Sequence, residues 1–327
     1  MGGKLDRLPV TSLTGAGGTV NVEMQKAMGI YWPDAHKDPE KMANLAIASY
    51  ELSGLECVRV PFDIGVEAEA FGCKLNFGGM DLQPSVIQCN YNSPNDLKMP
   101  GDPLRLGRIP VVLQAIRILR EKVGDFLPIV SNVIGPFTIA SVLVGIDNFM
   151  KWILRKPEYV KSFLDFSTEI VIEFAKAQYR SGSDIIHICE PSASPSLISP
   201  NNFRQFAKSA LTRVADNLGG IRLIYIGGNV EPIISDIAEL GYDGIAVEDS
   251  VNISKIKPLV GNAKILGNLS PIKNLLFGSP EDVKAEAKKA IEDGVDIVEI
   301  SGGIAPLAPT INIKAMVEAV KEFGHRA

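Results

Sequence analysis

His187 and Cys189, followed at once by Glu190, are the residues in this sequence with the sharpest chemical potential. Imidazole, thiolate and carboxylate all bind zinc. On a strand, residues i and i+2 share a face, so His187 and Cys189 point one way and Glu190 the other unless the strand bends. Zinc needs at least a third protein ligand. The pair is therefore a candidate metal site and equally a buried histidine beside an inert thiol. Other chemistries have less support. There are only three histidines, His36, His187 and His325, and no Gly-x-Ser-x-Gly elbow, so Ser-His-Asp chemistry finds no support. YIGGNVEP (225–232) sets two glycines ahead of a helix, where backbone N–H groups can hold an anion, but it lacks the Lys and Ser/Thr of a phosphate-binding loop.

The elements that must carry these residues alternate regularly from about residue 125. Short β-branched runs at 127–133, 184–189, 222–226, 244–247, 264–266 and 296–300 are mostly apolar throughout, as strands buried on both faces are. Amphipathic helical stretches at 157–179, 201–218, 230–240, 280–293 and 313–323 separate them. One joint recurs, a glycine ending a helix before an acidic strand entry: SGSDII (181–186), LGYDGI (240–245) and DGVDIV (293–298). Repeated β-α units predict a parallel sheet, and a TIM (β/α)8 barrel is its expected closure. A doubly wound sheet is the alternative, weakened by the lack of a Gly-x-Gly-x-x-Gly turn. The whole chain, 1–327, reads as one such domain, with 57–60 as its first strand. Residues before 50 read as an N-terminal extension, and the Gly-, Pro- and Asn-rich stretch 62–110 as a long insertion or lid after that strand.

Barrel chemistry sits at the C-terminal ends of strands. Those ends carry Arg59, Asp63, Asn132, His187, Cys189, Glu190, Ser192, Tyr225, Asn229, Glu248, Asp249, Asn268, Ser270, Glu299 and Ser301. So many polar groups predict a ligand with many hydrogen-bonding edges, although Ser192, Asn229 and Ser270 also stand where helix caps stand. The 327-residue chain is 46% hydrophobic, 22% charged and carries a net charge of -5, with no Lys/Arg block, which argues against nucleic acid. No apolar run reaches about 18 residues, and the first residues lack the apolar core of a signal peptide, so neither a membrane span nor export is expected. Asp6 spoils the myristoylation pattern of MGGKLD. Cys57, Cys73, Cys89 and Cys189 show no paired spacing and read as reduced thiols of a cytoplasmic protein.

Longer stretches carry a resemblance over nearly the whole chain. DRLPV (6–10), YWPDAHKDPEKMA (31–43), VRVPFDIGVEAEAFGCKLNFG (58–78), EPSASPSLISP (190–200), GGNVEPIISDIAELGYDGIAVED (227–249), LGNLSP (266–271) and SGGIAPLAPTINIKAMVEAVKEF (301–323) resemble the methylcobamide:coenzyme M methyltransferases of the uroporphyrinogen-decarboxylase superfamily. The resemblance implies a TIM barrel that takes a methyl group from a corrinoid on a partner protein and passes it to coenzyme M, whose thiol zinc activates. It also implies where the zinc ligands stand: a His-x-Cys on the strand before GNxxP and a Cys just before GIAP. Those positions hold Tyr225, Gly227 and Gly302 here. Zinc is therefore not expected at the family's place, and His187 and Cys189 remain the candidates for a relocated metal.

The leading expectation is a corrinoid-dependent methyltransferase whose co-substrate is a tetrahydropterin, tetrahydrofolate or tetrahydromethanopterin. Its reactive nitrogen is a nucleophile without zinc. Glu190 and Glu248 are the candidate catalytic carboxylates, and Arg59, Asn132, Tyr225, Asn229, Asn268 and Ser301 the candidate binding residues. One alternative is the opposite half-reaction, demethylation of a small methyl ether or quaternary amine onto a corrinoid protein. His187, Cys189 and Glu190 would then assist an ether, and Tyr225 or Trp152 would wall in a cation. Decarboxylation of uroporphyrinogen needs arginines, and only Arg7 and Arg59 offer themselves. A non-catalytic protein that binds a corrinoid carrier is the last alternative. A homodimer is compatible with all of these.

Overall fold

The computed structural model describes residues 5–13, 18–99 and 101–325. Eight parallel strands form one sheet in sequential order: β1 (Val10–Thr11), β2 (Val58–Val60), β3 (Ile129–Ile134), β4 (Ile185–Cys189), β5 (Ile221–Tyr225), β6 (Gly244–Ala246), β7 (Lys264–Leu269) and β8 (Ile297–Ile300). β8 pairs with β1, and the seam between β1 and β2 is bridged by the Glu56 N–H donating to the Val10 carbonyl at 3.0 Å. The sheet thus curls into the expected TIM-barrel-like α/β fold. β3 is buried at every position, as a strand with helices outside and a filled barrel inside must be.

The recurrent joint has a second function beyond ending helices. Gly182 and Gly294 close their helices in the left-handed region. The acid that follows then braces the preceding strand. Asp184 accepts from the Ile129 N–H at 2.8 Å, Asp243 from Arg222 at 2.9 Å, and Asp296 from Ile265 at 2.9 Å. In each case the acid's own N–H returns a bond to the carbonyl of that same residue or its counterpart on the braced strand. Glu56 does the same for Val10 at 3.0 Å. Four seams, β1/β2, β3/β4, β5/β6 and β7/β8, therefore carry one carboxylate each at the end of the barrel remote from the mouth.

Three expectations change. The barrel opens at Val10–Thr11, inside the segment read as an extension; two residues are too few to show a strand pattern. The insertion accordingly follows the second strand. It holds a helix (Val66–Ala70) and an antiparallel hairpin (Lys74–Asn76 with Ser85–Gln88). Cys73 and Cys89 flank that hairpin and form a disulfide, so two of the four thiols read as reduced are paired. The hairpin brings its two ends together, which a separation of 16 residues in sequence conceals. Among the described residues, no single helix is long and apolar enough to cross a membrane.

The insertion is tied down by Arg108, which donates to Asp63 at 2.8 and 3.0 Å and to Glu69 at 2.6 Å. His36 Nδ1 lies 3.3 Å from the same Asp63 carboxylate. Arg108 holds the buried Asp63 carboxyl far below the usual carboxylate range, against the opposing effect of burial.

Candidate active site

The segments that follow β6, β7 and β8 line one open cleft of about 320 Å3. Glu248 and Asp249 enter it after β6, and Ser301 and Gly302 after β8. Ile272 and Gln83 complete its sides, Gln83 reaching in from the loop that joins the two strands of the insertion hairpin. Its lining carries two carboxylates and no lysine or arginine. Such a wall attracts N–H-rich or cationic groups and repels anions.

Tyr225, the last residue of β5, is almost fully buried and donates its hydroxyl to Glu248 Oε1 at 2.5 Å. Burial and the adjacent Glu248 carboxylate both push the phenol well above its ordinary pKa, so it stays protonated and remains a donor. Asn268 steadies the turn behind Glu248, donating to the carbonyls of Glu248 (3.3 Å) and Val251 (3.0 Å). Ser301 donates to the Val247 carbonyl at 3.3 Å. These four expected residues thus lie together.

The three places where the resemblance puts zinc ligands converge on the same spot. A Cβ at Gly227 would stand 3.6 Å from Glu248 Oε1, and one at Gly302 would stand 3.7 Å from the Tyr225 hydroxyl. The backbone still surrounds the point, but two of the three positions have no side chain and the third is a phenol already bonded to a carboxylate. Glu248, bonded to that phenol, is the zinc-type side chain that meets these positions. The donor set does not fit zinc.

The remaining expected residues lie elsewhere. His187 and Cys189 are buried in the barrel interior, and among the described residues no three His, Cys, Asp or Glu side chains are grouped for a metal. Asn132, with its amide oriented to satisfy both neighbours, donates to His187 Nδ1 at 2.7 Å and accepts from Arg59 Nη2 at 3.2 Å. Burial and Arg59 push the His187 imidazole down to about 3. A guanidinium at this distance opposes a second cation. Arg59 itself is fully buried and lies against Gly18, where a Cβ would clash with its Nη1. Arg59 and Asn132 therefore build the barrel interior rather than the cleft. Arg7 pairs with Asp6 and Glu56 at the opposite end. Neither arginine proposed for a polycarboxylate substrate reaches the mouth.

Glu190 is placed differently from its expected role. Its oxygens accept from the N–H groups of Phe137 (2.8 Å) and Thr138 (2.7 Å) and from the Thr138 hydroxyl. It is a buried carboxylate on the N-terminus of the helix Pro136–Val144, where the helix dipole favours negative charge. Asn229 is exposed and accepts from the Glu231 N–H at 3.0 Å, a local turn contact. Trp152 packs with Tyr159 and Phe163, among helices outside the barrel. Gln83 escaped the sequence reading because a hairpin loop has no strand-end signature; only its place within the expected lid pointed to it.

Comparison with known proteins agrees with this fold. The uroporphyrinogen decarboxylase (URO-D) family model matches residues 1–323. The methylcobamide:CoM methyltransferase MtaA of Methanosarcina barkeri is 43% identical over 325 residues, covering 98% of this chain and 95% of the relative. The methylcobamide:CoM methyltransferase MtbA of Methanosarcina acetivorans is 38% identical, covering 98% and 94%. A solved methyltransferase from Methanosarcina mazei superposes with a TM-score of 0.94 at 44% identity, covering 98% of this chain and 95% of that one. The chain belongs to the uroporphyrinogen decarboxylase family and, within it, to the methyltransferases.

Proposed function

We propose that this protein moves a methyl group between a corrinoid carried by a separate protein and a tetrahydropterin, without zinc. The observation that carries the reading is the convergence of Tyr225, Gly227 and Gly302 on one point with no metal-binding side chain among them. A thiol attacks as its thiolate, and at neutral pH an unassisted thiol is mostly protonated. With no metal to form the thiolate, coenzyme M is a poor nucleophile here. Its sulfonate also meets a cleft with two carboxylates and no cation. A tetrahydropterin amine brings its own lone pair, and its N–H-bearing ring edge is complementary to Glu248 and Asp249. The corrinoid supplies the cobalt-bound methyl carbon, brought to the mouth by its carrier.

The test is loss of the methyl group from methylcobalamin, followed spectroscopically with coenzyme M, tetrahydrofolate and tetrahydromethanopterin in turn. Faster transfer to a tetrahydropterin is expected. Faster transfer to coenzyme M under matched conditions overturns the reading.

The carboxylate-lined cleft also favours a second reading, removal of a methyl group from a quaternary amine onto the reduced corrinoid. A cationic substrate gains from the same wall. Methylation of reduced cobalamin by such an amine, with no transfer to any pterin, would select it.

A further inference from the structure

An amine nucleophile must lose a proton on methylation, and the cleft offers a specific place for it. Glu248 is half-buried, and its Oε1 accepts from the Tyr225 hydroxyl at 2.5 Å. Its other oxygen has no donor among the described residues, and the residue lines the cleft. Tyr225 is held in turn by burial in the barrel top, only 6% exposed, with the backbone of Gly227 beside Glu248 and that of Gly302 beside the phenol. The other titratable groups nearby are Asp249 in the cleft and Cys189 and Glu299 behind Tyr225.

We infer that Tyr225 and Glu248 form a metal-free proton-accepting pair at the point where the family's zinc would stand. Tyr225 is the positioning residue; Glu248 touches the substrate. The inference rests on the tetrahydropterin reading. In the forward step the amine lone pair forms the N–CH3 bond while the cobalt–carbon bond breaks, both its electrons staying on cobalt. The amine proton passes to the free oxygen of Glu248. In the reverse direction the protonated carboxyl returns that proton to the departing amine. The phenol keeps Oε1 engaged, so the carboxylate presents its other oxygen to the substrate. A carboxylate loose in an open cleft would present neither oxygen reliably.

The experiment compares wild type, Tyr225→Phe and Tyr225→3-fluorotyrosine, each assayed for methyl transfer from methylcobalamin to tetrahydrofolate across pH. Thermal melts confirm folding. Tyr225→Phe is expected to lower kcat roughly tenfold with KM nearly unchanged. Removing the donor makes Glu248 more basic, so the acid limb of the kcat profile moves to higher pH. The fluorinated ring keeps the shape and strengthens the donor, and the limb moves the other way. An unchanged kcat and unchanged limb in both variants overturns the pair while leaving the acceptor reading intact. If wild type methylates no tetrahydropterin, the acceptor reading fails and the pair's proposed step fails with it.

Discussion

Two acidic clusters in this molecule differ in one respect, and that respect separates structure from chemistry. Asp63 and Glu69 share the Arg108 guanidinium, with His36 beside Asp63, so a resident cation faces both carboxylates. Glu248 and Asp249 face an open cleft with no cation in its lining, and among the described residues a phenol donates to one of them. A compensated buried cluster fixes one loop to another. An uncompensated one at a barrel mouth keeps its capacity to bind and to move protons. Charge count alone does not distinguish the two; the presence of a resident counter-ion does.

Substitution should separate them along different axes. Glu248→Gln is expected to slow methyl transfer roughly 10²–10⁴-fold, the loss typical of a positioned proton-transfer group. Its melting temperature should barely change, because the residue is half-buried and the amide keeps the Tyr225 contact. Steady-state rates and melts on one preparation check both, and near-normal turnover would place Glu248 with the structural acids. Arg108→Ala should do the reverse. It leaves the buried Asp63 without its partner, and breaking such a pair costs about 3–5 kcal/mol of stability. Denaturant unfolding measures that loss. An unchanged midpoint would mean that the insertion is held by other contacts, and the comparison would lose its structural half.

A smaller effect concerns pH. Glu67 and Glu190 are fully buried, and burial pushes both carboxyls from 4.5 up to about 7, despite hydrogen bonds that oppose the shift. The native protein therefore holds protons that the unfolded chain has released. That contribution is complete below about pH 4.5 and is lost as pH rises through about 7. A Glu67→Gln/Glu190→Gln variant should show a flatter stability profile over this window than wild type. Urea midpoints on both sides of it test the sign; a wild type that gains stability more steeply than the variant would refute the assignment.

The barrel was legible because its joints repeat. Gly followed by Asp at 182–184 and 294–296 marks helix ends and strand entries together, and the structure shows why both residues are needed. β1 was not legible, because two residues cannot display a period. Reading strand ends pointed to Glu248 and Ser301, which line the cleft, and to Tyr225 and Asn268, which bond to Glu248. His187, Asn132 and Arg59 differ in depth: each lies within its strand and bonds to a neighbouring strand inside the barrel. Glu190 failed by direction, since its carboxylate turns to a helix N-terminus that no strand pattern reveals. Gln83 required knowing how the insertion folds back, and the Cys73–Cys89 pair required the same knowledge.

The carboxylate braces on alternate seams give the barrel a two-stave grammar. Glu56, Asp184, Asp243 and Asp296 each lock one strand to its predecessor at the lower rim, so register is settled within pairs. A change at the upper rim then has no lever on the lower one. An insertion can lengthen between β2 and β3, and a metal's worth of side chains can vanish from β5 and β8, without loosening a single lock. In such a vessel the reactive lip is replaceable stock, and chemistry can drift there while the hoops stay where they are.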